Sequence, residues 1–537
     1  MLKKNILQKP VLTGFLGLCI SLLSGAVIVA CGGSGDSSSG TPTGTTGNTN
    51  PGSQVVGPPW LSYGHNAQHD ALSEVATQAY KSIVWQTAVD TAPQYTQQGY
   101  LLAHYGSPVI TARNTVLVPV KTSATGSYRM EAHSGATGVL LWSERSDYIM
   151  PAHRWLPSYN LTLTASNRVY APGAGGKVLY HEDADATNGV LRTAVFYGES
   201  VYNANKAALD QAVIINTPIT ADAQNNIYFG FYADASNPAG LTSGIARISA
   251  DGKAVWVGVK SISGVASLDK PATNSAIAVS KDQKTIYVVV NNNLVKGVDQ
   301  TGYLLALDSN SLALKSKARL TDPLEKGDAA VTDDSTSAPL VGPDGDVYIG
   351  VIEQTFGNHN GRGWLLHFNA DLSQSKTPGS FGWDDTPSIV PANLVASYTG
   401  TSPYLLMVKY NNYDDIGSGD AKNRIAILDP NAEAPDFISP LNTMKEVITM
   451  LGLSPDPHAP GGFAEWCINT AAIDPFTKSV IVNSEDGVLY RWDLTSNKIS
   501  EQIRLTSGLG ESYTPTAIGP DGKVYAINNA ILFAVGK

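Results

Sequence analysis

The phrase "APLVGPDGDVYIG" at residues 338–350 returns almost unchanged as "PTAIGPDGKVYAIN" at residues 515–528. A tight polar turn between two runs of alternating apolar residues is a hairpin signature, and its recurrence far along the chain constrains the fold more than composition does. The phrase occurs eight times. Its copies start at Ser107 ("SPVITARNTVLVPV"), Ser158 ("SYNLTLTASNRVYAPG"), Thr217 ("TPITADAQNNIYFG"), Ser275 ("SAIAVSKDQKTIYVV"), Ser337, Thr386 ("TPSIVPANLVAS"), Thr470 ("TAAIDPFTKSVIVNS") and Thr514. Most are followed by a third apolar run closed by another polar turn, as in "LLALDSNSLALK" and "LYRWDLTSNKIS". Antiparallel sheets of about four strands, repeated in this way, predict an all-β, eight-bladed β-propeller over residues 56–537. The last copy ends one strand short, whereas "YKSIVWQTAVD" near residue 80 belongs to no copy. That strand is expected to complete the eighth blade and so protect the sheet edges.

One interval is wide. Between Thr386 and Thr470 lie 84 residues, against 44 between Thr470 and Thr514. In the wide interval Met444, Val447, Ile448 and Leu451 recur at helical spacing, which predicts a helical insertion at about 442–463.

Composition agrees with a large β core. Of 537 residues 43% are hydrophobic and only 15% charged, with 51 Gly, 30 Pro and 24 Tyr to serve many short strands and turns. The formal charge is −10, and the loss of Lys3, Lys4 and Lys9 with an N-terminal leader makes it more negative still. Nucleic acid is thereby excluded as a partner, because phosphate recognition needs a basic face.

Residues 1–30 read as an address. "MLKKNILQK" is a basic n-region and the following apolar run an h-region, and "IVAC" resembles the lipobox of bacterial lipoprotein signal peptides. That resemblance implies lipidation at Cys31. Gly32, in place of the Asp that retains lipoproteins at the inner membrane, implies the outer membrane where the host has one, on its periplasmic face or its surface. Residues 31–55 are a Gly/Ser/Thr-rich tether with a reach of roughly 25–30 Å. Cys19 leaves with the leader and Cys31 takes lipid, so Cys467 has no cysteine partner and is either a buried small hydrophobe or a reactive thiol.

The segment "EAHSGATGVLLW" resembles the Ala-x-Asp-x-x-x-Gly-x-x-x-Trp repeat of quinoprotein-like (PQQ-repeat) β-propellers. His133 takes the Asp place, Gly138 the turn and Trp142 the position that docks against the next blade. The segment Trp60, Tyr63, Gly64 is similar to the N-terminal segment that packs structurally in that family. The family's dehydrogenases hold their quinone under an adjacent cysteine pair and take a catalytic base from a Gly-Asp-Asn stretch. Many also carry a Cys-x-x-Cys-His haem motif. This chain has none of the three: Asn358 and His359 stand where the base would be, and only Trp383, Asp384 and Asp385 loosely match a neighbouring motif. PQQ is therefore not expected.

In a propeller the first strand of each blade lines the central channel, so the residues just before each Ser/Thr start meet at one mouth. The candidates there are His104, His153, Arg154, Asn216, Asn274, Asp334, Asp384, Asp385, Glu465, Asn469 and Glu511. Asp334, Asp385, Glu465 and Glu511 come from four blades and are a candidate ligand set for Ca2+, which prefers several oxygens. The alternative is a wet ring of mutually bonded groups. Two other stretches carry metal-ligand residues, "DADATNG" (183–189), which looks like a calcium loop, and "GHNAQHD", with His65, His69 and Asp70 at metal-like spacing; they are expected instead to be a repeat turn and part of the N-terminal packing segment.

Two functional classes follow. The first is a lipid-anchored extracytoplasmic binding or scaffold propeller, monomeric, that holds envelope proteins or a small polar ligand. The second is an enzyme using the acidic mouth, either an atypical PQQ-type oxidoreductase or a metal-assisted hydrolase or lactonase. No nucleophile elbow or nucleotide loop is present, which favours the first.

Overall fold

The computed structural model describes residues 56–96, 99–292, 301–457, 459–508 and 513–537. The leader, Cys31, the tether and Glu511 lie outside the described residues. Eight antiparallel sheets form an eight-bladed propeller. The innermost strands of blades 1 to 8 are Val109–Ile110, Thr162–Leu163, Thr220–Ala221, Ala278–Val279, Leu340–Val341, Ser388–Pro391, Ala472–Asp474 and Ala517–Ile518. The Ser or Thr that starts each repeat lies just ahead of these strands, and its hydroxyl ties neighbours together. Ser337 donates to the Asp385 carbonyl at 2.8 Å, and Thr386 accepts from Ala338 N at 3.0 Å.

Packing follows position in the blade. Middle strands are buried along their whole length, as in Thr115–Lys121, whereas outer strands alternate in exposure, as in Leu314–Arg319. The core is a ring of apolar clusters filled face to face from adjoining blades. Met130 and Leu117 of blade 1 meet Leu161 and Val169 of blade 2, for example. Tryptophans lock blade to blade. Trp142 stacks on His181 of blade 2 at 4.5 Å and donates to the Ala184 carbonyl at 2.9 Å.

Blade 8 is completed by the strand Ser82–Ala88, antiparallel to Ile531–Gly536. Its Trp85 donates to the Gly135 carbonyl of blade 1 at 3.1 Å and covers Gly138. Gly138 has φ +74, and a Cβ there would meet the Trp85 ring at 2.6 Å, so this turn requires glycine.

The 442–463 segment contradicts the expected helix. Asn442–Leu451 is a strand, antiparallel to Arg424–Pro435. Ile448 faces Ile427 and Glu446 faces Leu428, so Val447 bulges out of the pairing. Met444 packs with Leu428 in one core cluster, whereas Val447 and Ile448 pack against the next, so the apolar residues that share helical spacing serve both faces of a bulged strand. Thr443, Val447, Ile448 and Thr449 are β-branched, which suits the extended backbone.

The two faces of the ring differ. On one, the first turn of seven blades is short and places one residue at positive φ: Asn114, Asn167, Asn225, Gln283, Gly345, Lys478 and Gly522. The other face carries the longer connections between blades. Among the described residues no helix is long and apolar enough to cross a membrane.

Candidate functional site: the two ends of the channel

The N-terminal segment closes the short-turn face. Residues 57–78 run around the inside of the ring and pair with one blade after another. Ile110 N donates to Trp60 O, Leu163 N to Leu61 O, Val279 N to Ala67 O, Val341 N to Gln68 O, Ile389 N to Asp70 O and Ile473 N to Ala71 O, all at 2.7–3.0 Å. Six inner strands thus give a backbone N–H to this cork, which then reaches blade 8 through Gln78 N and Gly522 O at 2.8 Å. Gly64 has φ +61, and a Cβ there would stand 3.0 Å from that of His69, so "YG" begins a tight coil.

Two side chains of the cork enter the channel wall. His69 is wholly buried and donates Nδ1–H to the Pro339 carbonyl at 2.7 Å. Its Nε2 has no partner, and burial pushes its pKa down from 6.5 to about 4. The Tyr63 hydroxyl lies 2.9 Å from both the Thr336 carbonyl and the Thr386 hydroxyl, and also touches Asn469 Oδ1. Asn469 in turn donates to Thr336 Oγ1, and Thr336 to Asp384 Oδ1 at 2.8 Å. A chain of hydrogen bonds therefore runs from the cork to the opposite mouth. Burial raises the Tyr63 pKa, which keeps the hydroxyl protonated as a donor.

At that mouth the structure brings part of the expected set together. His104 of blade 1 donates Nε2–H to the Asp334 carbonyl of blade 5 at 2.9 Å, straight across the ring. Its imidazole stacks on Trp155 at 5.1 Å and meets Tyr513 edge-on at 5.2 Å. All three rings are buried. Arg154 forms an ion pair with the Asp334 carboxylate. Asp384 and Asp385 are each 1% exposed. Burial drives the Asp385 pKa well up despite nearby Lys409, whose Nζ donates to the Asp384 carbonyl at 3.2 Å. Asn216 and Asn274 fasten the channel wall, to the Pro271 carbonyl and to Ser158 N and the Asp333 carbonyl.

Of the expected calcium ligands, Glu511 lies outside the described residues, and Asp334, Asp385 and Glu465 form no common group. Asp334 is held by Arg154, Asp385 is buried beside Lys409, and Glu465 sits instead with Cys467 and Glu485. The physical reason is that blades supply basic groups as well as acids, so Arg154 and Lys409 draw Asp334 and the Asp384–Asp385 pair to separate partners. His153 is exposed and lies off the axis, with Nδ1 2.8 Å from the Pro151 carbonyl. Lys409 and Glu485 were not legible as mouth residues. Both follow the inner strand of their blade by a variable stretch of chain, so the repeat offset does not mark them.

The remaining sequence candidates have structural partners. Asp183 and Asp185 accept from Asn167 Nδ2 and brace a repeat turn. His65 pairs with Asp70 at 3.0 Å while His69 points elsewhere. His359 is wholly buried, stacked on Trp364 at 3.7 Å and bonded to Asp436 at 3.2 Å.

No protein-family model and no curated protein sequence matches the chain. Solved structures do. A europium-containing methanol dehydrogenase superposes with a TM-score of 0.52 at 10% identity, over 87% of this chain and 89% of that one. A quinohemoprotein alcohol dehydrogenase from Comamonas testosteroni gives 0.52 at 13% identity, over 89% and 81%. BamB from Moraxella catarrhalis, at 9% identity over 84% and 100%, gives 0.41, too distant for argument. The likeness shows the fold, that of the quinoprotein-type propeller. His104, Trp155 and Tyr513 fill the centre of the mouth, and the sequence has no adjacent cysteine pair of the kind the family resemblance implies for a quinone site, so the residues present do not fit one.

Proposed function

We propose that the chain is a lipid-anchored extracytoplasmic propeller that binds another protein on its mouth face. The observation that carries this reading is the direction of the N-terminus. Gly57 lies on the corked face, bonded to the Ala112 carbonyl at 2.9 Å, so the described chain begins on that side, at Val56. An attachment through Cys31 would join the propeller at its corked face and leave the mouth face open to a partner.

Because the mouth residues are engaged with one another, recognition falls to the surface loops around them. Two grooves meet at His153. One, of about 520 Å³, lies between Thr125–Ser127 and Tyr148–Ala152; the other, of about 220 Å³, is bordered by Tyr95, Leu102 and Arg154. Their mixed polar and apolar walls suit an extended peptide segment.

A photo-crosslinking amino acid placed at Ala152 in intact cells is expected to give a discrete protein adduct. The same group at Phe476, exposed on the corked face, is expected to give none. Equal labelling from both sites would refute the assignment of the mouth as the binding face. Separately, Cys31→Ser is expected to move the protein out of the membrane fraction, since the acyl chains supply the burial that holds it there.

A further inference from the structure

Glu465 and Cys467 lie in the loop that leads into the inner strand of blade 7, and Glu485 in the turn between Ser479–Asn483 and Val488–Asp493. Alternate residues of an extended chain point the same way, so Glu465 and Cys467 share one side. Trp466 points to the other and is buried against Tyr490 at 5.5 Å. That anchored ring fixes the loop. Glu485 Oε1 accepts from Glu465 N at 3.0 Å, which ties the two loops together.

Three chemically different donors result at one point. Cys467 Sγ lies 2.8 Å from Glu485 Oε2 and 3.8 Å from Glu465 Oε2, and one ligand atom from each residue falls within 4.8 Å of the others. Among the described residues this is the one such group. A thiol has a single proton to donate, whereas two carboxylates have none at neutral pH. Cys467 is 1% exposed, so its position among acids is built into the loop rather than adopted at a free surface.

We propose that Glu465, Cys467 and Glu485 bind a borderline-soft divalent cation of the zinc type. A hard cation such as Ca2+ takes six to eight oxygens and has no use for sulfur. Zinc accepts thiolate at about 2.3 Å and carboxylate at about 2.0–2.2 Å, and three protein ligands leave its fourth place to water. The S···O separations of 2.8 and 3.8 Å bracket the edge of such a tetrahedron. Binding replaces the Sγ proton by the metal and releases that proton to solvent, so affinity falls as pH falls. The cation also offsets the mutual repulsion of the two carboxylates.

The test uses the full chain, purified in detergent without chelator. Metal analysis is expected to find about one zinc per chain, because three protein ligands that include a thiolate retain a borderline cation through dilution. Replacement by Co2+ is expected to give a thiolate-to-cobalt charge-transfer band in the near ultraviolet. Cys467→Ser should abolish the band, and Glu485→Gln should weaken Co2+ binding at least tenfold. If Cys467→Ser does not fold, Glu465→Gln serves in its place, since Glu465 is half-exposed. Absence of both zinc and the cobalt band in folded wild-type protein at neutral pH overturns the proposal, as does a band unchanged by Glu485→Gln and Glu465→Gln.

Discussion

The two ends of the channel are closed by different means. At the corked end one continuous segment supplies backbone carbonyls to six blades, a pattern set by the path of the main chain and by its left-handed positions such as Gly64. At the mouth, single side chains from separate blades meet: His104 and Arg154 with Asp334, Trp155 with Tyr513, Lys409 with Asp384. Backbone closure is a property of the fold as a whole. Side-chain closure can be rewritten one residue at a time, which leaves the mouth free to take on recognition while the cork holds the ring. The two ends should therefore differ in how much they contribute to stability.

The largest expected effect comes from removing the cork. A chain lacking residues 57–78 leaves six buried inner-strand N–H groups without their carbonyls, at about 1–3 kcal/mol each. The total rivals the whole stability of a typical domain, about 5–15 kcal/mol. Thermal unfolding followed by circular dichroism should lose its cooperative transition. Replacing the mouth-side loop Thr122–Ser127 by a two-residue turn should preserve it. Equal tolerance of both changes would erase the proposed difference between the ends.

Acid should act on the two ends with opposite sign. His69 in the cork titrates near 4 when folded and near 6.5 when unfolded, because burial disfavours its charged form. Between those values the unfolded chain binds the extra proton, so this contribution is intact above pH 6.5 and lost as pH falls toward 4. The loss amounts to about 3 kcal/mol. Asp70 is the charged neighbour and opposes the shift only weakly. Asp385 at the mouth behaves oppositely: its raised pKa makes the folded state the stronger proton binder, so its contribution is lost as pH rises above 3.8. His69→Asn keeps an N–H for Pro339 and tolerates the φ of +64 at that position. Chemical denaturation at pH 4.5 and 7 should show a markedly smaller pH dependence in this variant than in wild type. Identical slopes would mean that His69 does not titrate as a buried group.

The same division governs what could be read from sequence. The repeat, the blade number and the alternation of the outer strands follow from hydrophobic periodicity, which the backbone imposes on every blade alike. The offset from each Ser/Thr start marks His104, Arg154, Asp334 and the Asp384–Asp385 pair, which bond to one another or to neighbouring blades at that end. Other partners were not legible, because a neutralising Lys409 or a second acid such as Glu485 arrives from elsewhere in the blade with no fixed spacing. The strand Asn442–Leu451 mimics a helix for a related reason: it is bulged at Val447 and apolar on both faces, with Met444 in one cluster and Val447 and Ile448 against another, so its apolar residues show no period of two. "WLSYGHNAQHD" showed residues suited to a metal, yet its histidines face a carboxylate and a carbonyl, because that segment is used for its backbone.

The smallest expected effect lies at the rim of the mouth. Arg154 pairs with Asp334, but its side chain is 30% exposed, and an ion pair open to water gains little over separate hydration. Arg154→Ala should lower stability by about 1 kcal/mol, and less in high salt, because removing the partly exposed Arg154 side chain opens the Asp334 carboxylate, 10% exposed beneath it, to water. The ring is still spanned in that variant, because His104 bonds to the Asp334 carbonyl and not to its carboxylate. Urea titrations of the variant and wild type, at low and high salt, measure this. A loss of several kcal/mol, independent of salt, would make the mouth as structural as the cork and would remove the physical ground for assigning recognition to that face.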